Sequence, residues 1–195
     1  MLFRRIRIIQ NRVLVFALTT IVGCSAESGT LPDSTRARPA GVASEAVDRD
    51  GELEQNTKRI VAFLRGDAAF ETIVLADTVR LYLSPEGGGT ETALAREQLR
   101  DPSHWVLRSS GRQTYALAPP GSLRKVTTKT GRHFNCLEYP LASRFPDLAK
   151  LPHVGVKLEP DSAGSCLQSW NATFVFDANA QPARLVAAVY DQWEW

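Results

Sequence analysis

Hydrophobic positions in the segment DGELEQNTKRIVAFLRGD recur at the spacing of an α-helix. The positions that share one helical face are Leu53, Thr57, Ile60, Val61 and Leu64. Asp50 can cap the start of this helix, and Gly66 lies where a helix end favours a left-handed residue. The pattern therefore predicts an amphipathic helix between Asp50 and Gly66.

Most of the remaining chain alternates between hydrophobic and polar residues, as β-strands do. The segments predicted to be strands are TVRLYLS, HWVLRS, RQTYALA, LRKVTTKT, RHFNCLEY, HVGVKLE, CLQSWNATFVFD and ARLVAAVYDQWEW. A second helix is predicted over TETALAREQLR, because Pro102 follows closely after its end.

The last two predicted strands indicate how the sheet packs. One face of the first of them carries Trp170, Ala172, Phe174 and Phe176, and one face of the second carries Leu185, Ala187, Val189, Trp193 and Trp195. Such alternation is typical of an antiparallel sheet with one face on a core. With the leading helix, it predicts an α+β fold in which an N-terminal amphipathic helix packs on a mostly antiparallel, curved sheet.

The first 23 residues have the organisation of a signal peptide. A basic head, MLFRRIRIIQNR, precedes the apolar run VLVFALTTIVG. A membrane-spanning helix needs roughly 20 apolar residues, and this run is about half that length. A basic head, a short apolar core and small residues at the exit together predict export.

The residues at the end of the apolar run are IVGC, from Ile21 to Cys24. This tetrapeptide resembles the lipobox of bacterial lipoproteins, and the resemblance covers only residues 1–24. It implies cleavage before Cys24 and attachment of fatty acyl chains such as palmitate to the cysteine. Ser25, which follows the cysteine, implies the outer membrane if the cell has one. The resemblance therefore implies a protein that is lipid-anchored in the bacterial cell envelope.

Composition divides the rest of the chain into a tether and a domain. Residues 24–50 are rich in Ser, Ala, Gly and Pro and include no aromatic residue, so they predict a flexible tether behind the lipidated cysteine. Residues 51–195 are enough for one α+β domain. The chain has 23 basic and 21 acidic residues, and removal of the four signal-peptide arginines leaves 19 against 21, a net charge of −2. A nearly neutral exported domain gives no electrostatic reason to expect nucleic acid as a partner.

Cys136 and Cys166 are the only thiols left in the predicted domain. Two thiols in an oxidising compartment most often pair, so a disulfide is predicted. In a first alternative, His133 activates Cys136 as a nucleophile. In a second, His133 and both thiols bind zinc, although no Cys-x-x-Cys or His-x-x-x-His spacing supports such a site. No metal and no cofactor is predicted.

The sequence contains neither Gly-x-Ser-x-Gly nor His-Glu-x-x-His. His104 and His153 are predicted to be ordinary surface or strand-end residues. Glu138, Glu159 and Asp161 could pair in space for acid–base hydrolysis of cell-wall or other glycan, which is the alternative hypothesis for the function. The favoured hypothesis is a non-catalytic binding or scaffold module whose partner is an envelope protein or a glycan.

The C-terminal stretch YDQWEW supplies the candidate contacts with a ligand or partner, Asp191, Trp193 and Trp195. Tryptophan is enriched in interface hot spots, but core packing of a last strand is the simpler explanation of these rings. Asp191 shares a face with its hydrophobic neighbours if the alternation holds. Either a bulge turns Asp191 outward, which we favour, or it lies in a pocket between aromatic residues, which would mark a ligand site.

The lipobox resemblance makes a direct prediction. We expect Cys24 to be the first residue of the mature protein and to carry acyl chains, because several chains are needed for stable attachment to a membrane. Mass spectrometry of the N-terminal peptide measures both properties. An unmodified Cys24, or a mature chain that starts elsewhere, would contradict the prediction.

Overall fold

The computed structural model describes residues 40–83, 89–108, 114–137, 139–162 and 165–191, with the side chains of the first helix described from Arg49 onward. Several positions named above lie outside the described residues. These are the signal peptide, Cys24, the tether up to residue 39, Glu138, Trp193 and Trp195.

Helix α1 spans Ala40–Leu64, so it begins within the range that the composition predicted to be a tether. Asp50 consequently lies inside the helix and not at its cap. Alanine, glutamate and arginine in residues 40–49 favour a helix, which accounts for the earlier start. Among the described residues, no helix is both long enough and apolar enough to cross a lipid bilayer. The side chains of α1 that are buried in the core are Leu53, Ile60, Val61, Phe63 and Leu64.

The end of α1 has the geometry that the glycine predicted. Gly66 has a positive φ of 79° and donates its N–H to the carbonyl of Phe63. Asp67 donates its N–H to the carbonyl of Ala62. These two bonds form a Schellman motif, in which a glycine is preferred because a Cβ atom disfavours the left-handed conformation.

The described residues form eight strands and one further short helix. The strands are β1 (Leu75–Leu83), β2 (Glu91–Ala95), β3 (Val106–Arg108), β4 (Thr114–Ala116), β5 (Lys125–Thr130), β6 (His153–Glu159), β7 (Trp170–Asp177) and β8 (Arg184–Tyr190), and helix α2 is Leu141–Arg144. Six strands make one sheet of order β2-β1-β8-β7-β6-β5, and β3 pairs with β4. Only β1 and β8 are parallel neighbours. The α+β class and the mostly antiparallel sheet are thereby confirmed.

The second helix predicted over TETALAREQLR is wrong. Residues 91–95 of that segment form β2, which pairs antiparallel with β1, and Gln98–Arg100 forms a short 3₁₀ turn. Leu94 packs against the core, whereas Ala93 and Ala95 on either side of it are exposed. Alanine, glutamate and arginine have high helix propensity, but pairing with a neighbouring strand overrides this local preference.

Strand β7 is buried on both of its faces, contrary to the expectation of one solvated face. Its core face carries Trp170, Ala172, Phe174 and Phe176, as predicted. The opposite face, called the second face here, carries Asn171 and Thr173, and both are buried as well. The centre of the sheet therefore lies between two covering layers.

A bulge in β8 breaks the alternation that the sequence showed. Leu185 pairs with Phe176, but Ala187 pairs with Val175, so the extra residue Val186 shifts the register. Because neighbouring positions of β7 point to opposite faces, Leu185 and Ala187 also lie on opposite faces. Placing both residues on one face was therefore wrong.

Residues 131–137, called the covering segment here, lie over the second face. Residues 132–137 were predicted to belong to a strand, and that prediction is wrong, because they form a turn and an irregular connection. Gly155 of β6 lies directly beneath them. A Cβ atom at this glycine would lie 2.9 Å from the carbonyl carbon of Arg132 and 3.0 Å from Cδ2 of Phe134. The close approach of two backbones therefore requires glycine at residue 155.

Gly155→Ala should lower the free energy of unfolding by about 1–3 kcal/mol, the usual cost of overpacking an interior. The added methyl group would push the covering segment away from β6. Gly51→Ala is the matched control, because nothing lies within 4 Å of a Cβ atom there. The control should be neutral or stabilising by up to about 1 kcal/mol, since alanine favours a helix more than glycine does. Urea denaturation of both variants measures the difference, and equal stabilities would contradict the prediction.

Candidate functional site

A disulfide closes the connection between the covering segment and β7. Cys136 and Cys166 are bonded, with 5.4 Å between their Cα atoms, which confirms the predicted pair. The bond closes a loop with a sequence separation of 30 residues, for which chain entropy gives a stabilisation of about 3–4 kcal/mol. Because both thiols are consumed, Cys136 is neither a nucleophile nor a zinc ligand. Among the described residues, no cluster of three or more histidine, cysteine or acidic side chains could hold a metal ion.

A cavity of about 600 Å³ opens beside this disulfide. It is called the β6–β7 pocket here, because the covering segment and α2 form its walls and the second face of β6 and β7 forms its floor. Both disulfide cysteines line it. Its polar and aromatic lining residues are Arg132, His133, Phe134, Asn135, Tyr139, His153, Lys157 and Asn171.

The β6–β7 pocket has a cationic lining. Arg132 and Lys157 contribute to it, and none of the lining residues in the described part of the chain is acidic. Lys157 is ion-paired with Glu159, which lies two residues further along β6. The guanidinium of Arg132 lies 5.8 Å from the centre of the Phe134 ring and forms no salt bridge with a described carboxylate. Arg132 is therefore the lining cation most available to a bound anion.

Asn171 brings a buried polar group to the floor of this pocket. Its side chain is only 1% exposed, and its Oδ1 atom has no hydrogen-bond partner among the described residues. Buried polar atoms in proteins are nearly always hydrogen-bonded, because an unpaired one loses its bonds to water without replacement. A side-chain carbonyl oxygen accepts hydrogen bonds, so this position suits a ligand that donates one.

His133 joins the covering segment to the two central strands. Its Nδ1 atom is hydrogen-bonded to Oγ1 of Thr173 on β7, at 2.7 Å. Its Nε2 atom lies 3.4 Å from Oδ2 of Asp191, the residue that follows β8. Burial lowers the pKa of His133 to about 4, and positive charge at His153, Arg144 and Arg132 acts in the same direction. The imidazole is therefore neutral near pH 7, and its contact with Asp191 is not a full salt bridge.

Thr173, His133 and Asp191 contact one another in this order, and their residue types are those of a hydroxyl–histidine–acid triad. Thr173, however, is 0% exposed and does not line the β6–β7 pocket. A nucleophile must reach its substrate, and this hydroxyl is out of reach of one. Both histidine nitrogens are directed at groups inside the protein, so the three residues hold the covering segment in place.

Asp191 is 4% exposed, so the favoured expectation that a bulge turns it outward is wrong. Its N–H donates to the carbonyl of Asn171, which continues the β7–β8 pairing and places it on the second face. The bulge lies further back, at Val186. The other alternative was that Asp191 lies in a pocket and marks a ligand site. Asp191 contacts His133, which lines the β6–β7 pocket, but Asp191 does not line this pocket itself.

The remaining candidate residues lie apart from this arrangement. Glu159 is ion-paired with Lys157 and Lys125, and the hydrogen bond from Lys157 with these charges lowers the pKa of Glu159. Asp161 is exposed, and so is His104. His153, which was expected to be an ordinary strand-end residue, lines the β6–β7 pocket.

Sequence reasoning missed Arg132 and Asn171. The signal for Asn171 was present, because asparagine and threonine alternate with large apolar residues in WNATF. Polar residues on the second face of a strand usually indicate solvent, and only the covering segment makes them buried. Arg132 had no local signal, since its position over β6 depends on the path of an irregular connection.

Comparison of the chain with known protein families, with curated proteins and with solved structures finds no match. A fold would in any case not give a function, because unrelated activities share the same architecture. The function is therefore argued from the residues of the β6–β7 pocket.

The shifted pKa of His133 predicts how stability depends on pH. The unfolded state binds a proton near the ordinary pKa of 6.5, whereas the folded state does so only near 4. The unfolded state therefore holds more protons between these values, and stability falls as the pH drops through this window. His133 should account for a loss of about 3 kcal/mol between pH 7 and pH 4.

His133→Gln should lower stability at pH 7 but remove this part of the pH dependence. His104→Gln, which changes an exposed histidine away from Thr173 and Asp191, is the control. Its stability should depend on pH with the same slope as that of the unaltered protein. Urea denaturation between pH 4 and pH 7 measures all three proteins. A slope for His133→Gln equal to that of the control would show that His133 does not remain neutral in the folded state.

Proposed function

We propose that this protein is an exported lipoprotein, anchored at Cys24 in the bacterial cell envelope, whose domain is a non-catalytic binding module. The outer membrane is the proposed location if the cell has one. The observation that carries the binding role is the β6–β7 pocket, where a cationic wall lies beside Asn171, whose buried oxygen has no hydrogen-bond partner among the described residues. A pocket of this size with a few convergent polar groups is typical of small-molecule sites.

The chemistry of the lining favours binding over catalysis. His133 has a pKa far below neutral pH, which makes it a weak general base, and its two nitrogens contact Thr173 and Asp191. The alternative hydrolase hypothesis needs a carboxylic acid whose pKa is raised. Glu159 has the opposite shift because lysines surround it. Neither His133 nor Glu159 therefore has the properties of a catalytic acid or base.

The proposed anchor and tether suit a binding module. A tether restricts the domain to a volume near the membrane and so raises the effective concentration of a partner there. The disulfide between Cys136 and Cys166 fits an oxidising compartment outside the cytoplasm. We include in the proposal that α1 continues the tether into the domain and packs on a curved sheet. The proposed partners are the membrane, through the lipid, and an envelope protein or glycan, without nucleic acid.

Site-specific photocrosslinking of the full chain in living cells tests the binding role. A photoreactive amino acid in place of Ala142, an exposed residue of the pocket wall, should give one discrete adduct. The same substitution at Ala93, an exposed residue of β2, is the positional control and should not give it. Arg132→Ala in the same chain should reduce the adduct several-fold, whereas Arg59→Ala, at another exposed arginine, should leave it unchanged.

Two results would contradict the proposal. One is a crosslinking pattern at Ala142 that does not differ from the pattern at Ala93. The other is cleavage of purified cell wall by the full chain that Glu159→Gln abolishes, because this would establish the alternative hydrolase hypothesis.

A further inference from the structure

The size of the β6–β7 pocket limits the ligand that it can take. Its volume of about 600 Å³ lies within the range of roughly 300–1,000 Å³ that is usual for small-molecule sites. The disulfide and the contacts of His133 fix the walls, so the pocket is formed before a ligand arrives. A ligand of one or two rings matches this space.

The charge of the pocket selects the sign of the ligand. Arg132 lines it without a carboxylate partner among the described residues, and Lys157 and His153 lie on the floor next to Asn171 and Gly155 in the paired strands. Glu159 offsets the charge of Lys157, so an anion finds its strongest partner in the guanidinium of Arg132. The positive groups that disfavour an imidazolium at His133 favour an anion at the same place.

The floor of the pocket selects a second feature of the ligand. Oδ1 of Asn171 is buried and has no hydrogen-bond donor among the described residues. Once the amide turns this oxygen toward the pocket that Asn171 lines, the oxygen can accept a hydrogen bond from a hydroxyl or N–H group. An anion without a donor group would leave this oxygen unpaired, as it is in the free protein, and would gain no hydrogen bond from it. Tyr139 lines the wall with 45% of its surface exposed. The guanidinium of Arg144 lies 4.5 Å from the centre of its ring, so the opposite ring face is the apolar surface offered to the carbon skeleton of a ligand.

We infer that the β6–β7 pocket binds an anionic sugar, with the carboxylate or phosphate at Arg132 and a ring hydroxyl donating to Oδ1 of Asn171. The inference rests on the proposed binding function and specifies its ligand class. A sugar supplies the hydroxyl donor, the ring size and the apolar ring face together. Its acidic substituent supplies the charge.

Isothermal titration calorimetry on the purified, lipidated full chain in detergent tests the inference. The probes are glucuronate, glucose 6-phosphate, neutral glucose and cyclohexanecarboxylate, which keeps the ring and the charge of glucuronate but has no hydroxyl group. Glucuronate or glucose 6-phosphate should bind about tenfold or more tightly than glucose, because a hydrogen bond to a charged group contributes about 1.5–3 kcal/mol. Glucuronate should bind about fivefold more tightly than cyclohexanecarboxylate, because the neutral hydrogen bond to Asn171 contributes about 1 kcal/mol. Preference for the carboxylate or for the phosphate identifies which anion the pocket takes.

Arg132→Ala should weaken binding of the preferred anionic sugar about tenfold and leave the affinity for glucose unchanged. Arg59→Ala removes the same charge from an exposed site on α1 and should change neither. Circular dichroism of both variants checks that they are folded. High salt should lower the affinity for the anionic sugar but not the affinity for glucose, because Arg132 is exposed and salt screens its charge.

If neither glucuronate nor glucose 6-phosphate binds more tightly than glucose, the anionic part of the inference is overturned. Equal affinity for glucuronate and cyclohexanecarboxylate would overturn the hydroxyl part. No binding of any probe at about millimolar concentration, where even weak specific sites are occupied, would overturn the whole inference. If the Ala142 crosslink nevertheless persists in cells, the proposed binding function stands with a ligand of different chemistry. If both fail, the binding function fails as well.

Discussion

The close contact of the covering segment with β6 and β7 determines the surroundings of the pocket. Gly155 lets the backbone of residue 132 lie against β6, His133 is hydrogen-bonded to Thr173, and the disulfide holds Cys136 beside residue 166. Each contact acts on the same short, irregular stretch, which has no strand or helix of its own to stabilise it. Without these contacts, the polar second face of β7 would be exposed to water, and the pocket would have no wall.

Covering this face has an energetic cost that the structure offsets only in part. Thr173 and His133 satisfy one another, while Oδ1 of Asn171 is left without a partner among the described residues. A neutral His133 avoids the larger cost of burying an isolated charge. The disulfide offsets part of the remaining cost, because it lowers the conformational entropy of the unfolded state and so the entropy lost on folding. Asn171 lies at the floor of a cavity whose walls are held by other contacts. An unpaired polar atom at such a place is expected where a ligand completes the hydrogen bonding.

The lining of the pocket differs from the groups that lie beneath its wall. The groups that face the pocket are cationic, aromatic or amide side chains, whereas the threonine that could act as a nucleophile lies beneath the wall. The carboxylate nearest to the floor along β6, Glu159, is held by two lysines. Such a lining can select a ligand by charge and hydrogen bonding.

The sequence by itself determined the features that depend on local pattern or on simple counting. The end of α1 followed from Gly66, the core face of β7 from its alternation, the α+β class from the order of elements, and the disulfide from the presence of only two thiols in the domain. Tertiary structure alone decided the features that depend on distant partners. Pairing with β1 made residues 91–95 a strand despite their helix propensity. A bulge at Val186 placed Leu185 and Ala187 on opposite faces of the sheet. Asp191 is buried where a position exposed to solvent had been expected. Arg132 and Asn171 meet at one pocket only because an irregular connection crosses the sheet there. Local periodicity reports which residues share a face, but it carries no information about what covers that face.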